Sequence, residues 1–160
     1  MVTDSVDRRT ISVDTNVIGL IVGLGPTGSE YRRLLEGCDA AITYFVQAEI
    51  RASDWPVNEQ VKLDAFLRTA RYLPPLGPEG IEEFARLKRT SVALGLRYGT
   101  EREDLWMLAQ SRSLGLIVAT NDRNAARVAQ ATGMRVATAL RDIERDYARD
   151  RQRLERLRRV

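Results

Sequence analysis

The chain has 160 residues, 25 basic and 22 acidic side chains and a formal net charge of +3, a length that fits one domain with a real core but not a cofactor domain plus a substrate domain. It holds no histidine and one cysteine, Cys38, which excludes thiolate and imidazole zinc sites, disulfides, Ser-His-Asp triads and Cys-His pairs. Any catalysis must come from carboxylates, lysine, hydroxyls or a metal held by oxygen.

In chain order, the polar and acidic segment 1–7 is unlike a signal peptide, and no stretch approaches the roughly 18 apolar residues of a bilayer span, so a cytoplasmic protein without membrane contact is expected. Short apolar runs predict strands over 10–13, 40–45, 71–73, 116–119 and 134–137. Amphipathic stretches predict helices near 28–36, 47–53, 57–69, 79–94, 101–113 and 123–131. Thr100 with Glu103 forms a capping box for the fifth of these helices, and Gly133 is a C-terminal cap for the sixth. Strands alternating with crossover helices imply a parallel sheet covered on both faces. From Leu140 onward, Leu140, Ile143, Tyr147, Leu154 and Leu157 follow three-four spacing, with Asp150 interrupting the seam. The expected organisation is therefore a domain over 1–140 and a basic amphipathic helical extension over 141–160.

The charge is concentrated in that extension, where eight arginines face five acids; the other 140 residues carry 17 of each sign. Net charge thus points to a basic tail and says little about a catalytic face.

In an open parallel sheet the ligand crevice lies at the carboxyl ends of the strands. Asp14 ends the first strand, Glu49 lies one turn into the helix after the second, Asp122 follows the fourth, and Asp104 occupies the first turn of the helix leading into the fourth. All four can converge on one crevice. Packed carboxylates repel and take up protons, so such a cluster implies a neutralising cation. Oxygen-only ligation favours Mg²⁺ or Mn²⁺, and phosphodiester hydrolysis suits that arrangement. Three of the acids also have a plain role open to them: Asp122 as a helix cap, Asp104 as a first-turn acid, Glu49 as a solvated helix residue; Asp14, directly after a strand tip and followed by Thr-Asn, has no obvious capping role.

At these residues the chain resembles a known family. Val13-Asp14-Thr15-Asn16-Val17-Ile18 is similar to the opening motif of PIN-domain nucleases, particularly the VapC-type toxins of toxin–antitoxin modules. Gln47-Ala48-Glu49-Ile50, the run from Glu103-Asp104 to Ser111, and Thr120-Asn121-Asp122 with Ala126-Arg127-Val128-Ala129 resemble the second, third and fourth motifs. The likeness spans roughly residues 10 to 140. It departs at Tyr44-Phe45, where small polar residues are common in the family.

The resemblance implies a three-layer α/β/α PIN-like domain with a parallel sheet of about five strands, followed here by the C-terminal amphipathic helix. It further implies a Mg²⁺- or Mn²⁺-dependent endoribonuclease that forms a homodimer and is inhibited by a small antitoxin, with a solitary nuclease as the alternative. Asp14 and Asp104 would be the principal metal ligands, Glu49 and Asp122 would complete the site directly or through water, and Thr15, Asn16 and Thr120 would support the carboxylates. Arg51, Arg97, Arg102, Arg123 and Arg127, close in sequence to these acids, are candidates for RNA phosphates. Trp55 and Trp106 are expected in the core.

A rival pattern is Gly23-Leu24-Gly25-Pro26-Thr27-Gly28, which matches GxGxxG with Glu49 about 20 residues on, as in a nucleotide-binding unit. Pro26 removes a backbone N–H from a loop that would need to donate to pyrophosphate. The segment is expected to join two helical pieces instead.

Overall fold

The computed structural model describes residues 9–96 and 102–159. Among these, the strands are β1 (Thr10–Val13), β2 (Asp39–Ile42), β3 (Arg71–Tyr72), β4 (Ile117–Ala119) and β5 (Val136–Ala137). The helices are α1 (Thr15–Val22), α2 (Pro26–Leu34), α3 (Tyr44–Ala52), α4 (Val57–Thr69), α5 (Pro78–Ala93), α6 (Arg102–Ser113), α7 (Arg123–Ala131) and α8 (Ile143–Leu157). All strand pairs are parallel, in the order β3-β2-β1-β4-β5, and helices cover the sheet to give the expected three-layer α/β/α architecture.

β1 lies at the centre, with Ile11 opposite Ala40 on one side and Ile117 on the other. It is buried from Ile11 to Val13, as a central strand covered on both faces is. Its buried polar residue, Ser12, receives a 2.8 Å hydrogen bond from the Ser111 hydroxyl of α6, so the buried oxygen is satisfied. The chain leaves β1 toward β2 and β3, then crosses back to place β4 and β5 on the other side. The direction of winding reverses beside β1, and a crevice opens at its carboxyl end.

The junction of β2 and α3 differs from the sequence expectation for an identifiable reason. β2 stops at Ile42 because the Thr43 side chain accepts from the Val46 N–H at 3.2 Å and starts α3 at Tyr44. Tyr44 and Phe45 favour strands by propensity, but Phe45 stacks on Trp106 at 5.8 Å between centroids, and Trp106 stacks on Phe84 at 3.8 Å. This ladder ties α3, α6 and α5 together, while Tyr44 meets Phe45 edge-on at 6.0 Å and stays exposed. Trp106 is half-buried within it; Trp55 is half-buried against Gly19 and donates to the Ile50 carbonyl at 3.0 Å.

The Gly23–Gly28 segment follows a helix rather than a strand. Gly25 precedes α2, Pro26 opens it, and a side chain at Gly28 would place its Cβ 2.0 Å from the Leu20 carbonyl oxygen of α1. These glycines serve a close helix–helix turn, an arrangement without the strand-to-helix loop of a dinucleotide site. Gly133, at φ +84°, ends α7 as expected.

The C-terminal helix docks on the body. Ile143 and Tyr147 pack with Ala126, Val136 and Leu140, while Leu154 reaches the main core. Asp150, which interrupts the apolar seam in the sequence, is 2% exposed and accepts both Arg127 Nε at 2.8 Å and Nη2 at 2.7 Å. Asp146 pairs with Arg123 and Arg149. Leu157, the last residue of the expected seam, is exposed. No helix among the described residues is long and apolar enough to cross a membrane.

Candidate active site

Asp14 is the residue after β1, and its backbone N–H still bonds the Ala119 carbonyl of β4 at 3.0 Å. Its carbonyl accepts from the N–H groups of Val17 and Ile18, the first bonds of α1. The chain therefore turns from central strand to helix at this acid. Although Asp14 is at the N-cap position, its side chain makes no capping bond. It is 3% exposed, and Oδ2 accepts from the Thr120 hydroxyl at 2.7 Å.

This environment raises the Asp14 pKa above the ordinary carboxylate value. Burial is the main cause, with the charges of Glu49 and Asp122 adding to it. The Thr120 hydroxyl and a hydrogen bond from the Thr15 backbone act in the opposite direction. Among the described residues, the groups acting on it are threonines and acids.

The other acids arrive from separate elements. Glu49, half-buried on α3, accepts at Oε2 from the Thr15 hydroxyl, so the residue after Asp14 holds this second carboxylate. Asp122 caps α7, its Oδ1 accepting from the Ala125 N–H at 2.6 Å, while its own N–H donates to Thr120 Oγ1 at 3.1 Å. Thr120 thus joins Asp14 and Asp122 through one hydroxyl. Asp104 is half-buried in the first turn of α6. Since Ser111 meets Ser12 in mid-strand, α6 runs back about 10 Å from there toward the edge that carries Asp14.

Thr15 and Thr120 therefore support carboxylates directly. Asn16 does something else: its Oδ1 accepts from the Asn121 backbone N–H at 3.1 Å, fixing the loop between β4 and α7 rather than an acid. The arginine expectations also change. Arg127 is engaged with Asp150 and is 14% exposed, and Arg123 bonds Asp146 and the Arg141 carbonyl. Both hold α8 in place, because a side chain near an acid in sequence need not point the same way. Arg51 is exposed at the end of α3. Arg97 and Thr100 lie outside the described residues, as does the side chain of Arg102.

Tyr31 of α2 was not singled out by the sequence. It is fully buried, and its hydroxyl donates to the Thr120 carbonyl at 2.8 Å and accepts from the Ala139 N–H at 3.2 Å. Asn121 Oδ1 and Thr138 Oγ1 lie 3.0 and 3.2 Å away. One phenol thereby fixes the ends of β4 and β5 behind Asp14. Its position on the inner face of an amphipathic helix is the only signal the sequence offers, and that predicts burial without naming the partners.

The donor chemistry fits a hard divalent cation. A buried carboxylate with acidic neighbours gains from a positive ion, and among the described residues the donors around it are oxygens. Among the described residues no three acidic side chains are grouped closely enough to cage an ion by themselves. An ion there would therefore be held through one or two carboxylates and several waters, as Mg²⁺ is.

No protein-family model matches the chain, nor does any curated protein. Solved structures do. VapBC2 from Rickettsia felis, bound to a DNA fragment from its promoter, matches with a TM-score of 0.62 and 19% identity over 81% of this chain and 98% of the other. FitAcB from Neisseria gonorrhoeae matches at 0.60 with 21% identity, over 79% of this chain and 95% of the other. VapBC-5 from Mycobacterium tuberculosis, of the VapBC family of toxin–antitoxin systems, matches at 0.56 with 22% identity over 81% and 96%. At these identities the likeness establishes the fold. It is the fold expected from the PIN-type motifs, and it is shared with components of toxin–antitoxin complexes.

Proposed function

We propose that this chain is a Mg²⁺- or Mn²⁺-dependent endoribonuclease and the toxin of a toxin–antitoxin pair. The observation that carries the reading is Asp14, an acid enclosed at the switch point of the sheet with other acids near it and, among the described residues, a threonine hydroxyl in place of a cation. Asp14 would be the central ligand, joined directly or through water by Glu49, Asp104 and Asp122. A bound ion would supply an acidified water for attack at phosphorus and positive charge for the departing oxygen.

The chain's own groups set this up. The Thr120 hydroxyl orients Asp14 and leaves its Oδ1 without that restraint, Thr15 holds Glu49, and the Asp122 cap leaves its Oδ2 outside the helix bond. Tyr31 and Asn16 fix the loop between them. Arg51, Arg97 and Arg102 are the remaining candidates to meet RNA phosphates. The toxin–antitoxin neighbours support a small protein antitoxin as partner, and dimer formation is proposed with it.

The test is cleavage of defined RNAs by wild type and Asp14→Asn in Mg²⁺, Mn²⁺ or EDTA. Cleavage that needs the ion and falls at least about 100-fold in the variant is expected, the scale of losing a group that acts in the transition state. Metal-independent cleavage, or full activity in Asp14→Asn, overturns the mechanism. A small upstream reading frame whose product relieves growth arrest is expected for the toxin role; its absence favours a solitary nuclease.

A further inference from the structure

The outer face of α8 is a ridge of arginines. At 100° per residue, Arg145, Arg149, Gln152 and Arg156 fall on one stripe of the helix. It lies opposite Ile143, Tyr147, Asp150 and Leu154, the side that docks on the body. Arg159 continues the line in the turn beyond the helix, and Arg153 flanks it. All of these positions are exposed. Glu144 and Glu155 lie to one side, and the stripe itself contains no acid.

The helix sorts its charges by face. Asp146 and Asp150 are turned inward onto Arg123 and Arg127. Of the ridge arginines, Arg149 alone is in an ion pair among the described residues, with Asp146, and it remains 61% exposed. Docking consumes acids and leaves cations outside: Arg153 donates to the Ala93 carbonyl of α5 at 2.8 Å, while Arg145, Arg156 and Arg159 carry positive charge that is in no ion pair among the described residues.

The direction of the ridge follows from the same pairs. Arg123 to Asp146 and Arg127 to Asp150 share a separation of 23 residues, so α7 and α8 run side by side in the same sense. Since α7 begins at Asp122, α8 begins at the same edge of the sheet, beside the acidic site. From Arg145 to Arg156 the ridge descends about 16 Å along the flank of the molecule.

We infer that this ridge binds the sugar-phosphate backbone of a single-stranded RNA whose neighbouring segment enters the acidic site. The inference rests on the proposed RNA substrate. A line of guanidinium groups with no interleaved acid or exposed aromatic is complementary to a repeating phosphate charge and carries no base readout. It therefore extends contact with longer strands without setting the cleavage sequence.

The full chain with Asp14→Asn, which blocks cleavage, is compared with the same chain carrying Arg145→Gln, Arg156→Gln and Arg159→Gln. None of these three arginines takes part in the α7 contact. Binding of a single-stranded RNA of about 30 nucleotides is measured by anisotropy across a salt series, with a strand of about five nucleotides as control. Removing three phosphate contacts should lower the slope of log K against log salt by about 2 and the affinity for the long strand on the order of 10- to 100-fold near 0.1 M salt. In the active background, cleavage of the short strand should be unchanged. Replacing the three by lysine should restore most of the slope.

An unchanged slope in a variant that melts like its parent overturns the inference. So does equal affinity for polyglutamate of matched charge, which would point to an acidic protein segment instead. If wild type binds the long strand through the ridge but never cleaves it, the nuclease reading fails and the ridge stands.

Discussion

Asp14 and the two acids of α8 are the same chemical group buried in opposite company. Asp146 and Asp150 meet arginines from α7 and from their own helix, and Asp146 is held below the usual carboxylate range, chiefly by the hydrogen bond from Arg123. Asp14 meets a threonine hydroxyl and two further acids, and burial pushes it up. Among the described residues a cation meets one buried acid and not the other, which distinguishes a fastening from a site. The α8 acids are paired within the described fold, whereas a positive ion or a proton would relieve Asp14 of its burial and its acidic neighbours.

The largest expected effect lies on the Asp14 side. Asp14→Asn should abolish measurable cleavage yet leave the ion-free protein at least as stable as wild type. The pH dependence follows from the direction of each shift. A raised Asp14 favours the folded state while protonated, so its contribution is present below about pH 3.8, the ordinary value, and is lost as pH rises through the higher folded value. Asp146 has the opposite sign: its contribution is present above 3.8 and is lost as pH falls through its lower folded value. Urea unfolding of wild type and Asp14→Asn from pH 3.5 to 7 should show the variant gaining relative stability with pH. Adding Mn²⁺ should stabilise wild type and leave Asp14→Asn unmoved. Equal stabilisation of both by the ion would place its site elsewhere.

On the fastening side, Asp150→Ala leaves Arg127 charged, 14% exposed and without its bidentate partner. Breaking one half of a buried pair costs about 3 to 5 kcal/mol, and the loss should appear in the denaturation midpoint. A change below about 1 kcal/mol, the value of an exposed pair, would show that solvent reaches the contact and that α8 is held by its apolar seam alone.

The same contrast explains what the sequence made legible. An apolar run ending in Asp14-Thr15-Asn16 is a local signal, and the parallel order of strands is cumulative, so the sheet and the acid at its centre could be read from the chain. Asp150 appeared as a flaw in an apolar seam because its partner, Arg127, sits on another helix and no periodicity encodes that pairing. Arg123 and Arg127 were assigned to RNA by their closeness to Asp122, but the faces of α7 turn them toward α8. Thr120 stands two residues before Asp122 in the sequence, but its bond to Asp14 forms only because β1 and β4 are neighbours. The Asn16 side chain bonds a backbone N–H, and every residue except proline offers one, so no spacing encodes that contact. Tyr31 was missed for a similar reason: its partners are loop ends drawn together only by the sheet.

Tyr31 and Tyr147 sharpen the comparison at smaller scale. Tyr31→Phe deletes a hydroxyl that donates to the Thr120 carbonyl and accepts from Ala139. The buried groups left behind should cost about 1 to 3 kcal/mol. The loss should be accompanied by weaker Mn²⁺ binding, because Thr120 is also the support of Asp14. Loss of stability with unaltered ion affinity would confine Tyr31 to the scaffold.

Tyr147 lies on α8, and its buried hydroxyl has no hydrogen-bond partner among the described residues. Its pKa is pushed up to about 12, mainly by burial, with the charge of Glu144 next. The ring is useful where it stands, filling the space between Ile143, Ala126 and Val136, but its oxygen is desolvated without return. Tyr147→Phe keeps the ring and removes the oxygen. It should therefore be neutral or stabilise by up to about 1 kcal/mol, since an unpaired buried hydroxyl costs on that order, raising the melting temperature by roughly 2 to 4 °C in a chain of this size. A fall in melting temperature would mean that the hydroxyl is engaged in solution, and that the seam of α8 depends on a polar contact as well as on its arginine fastenings.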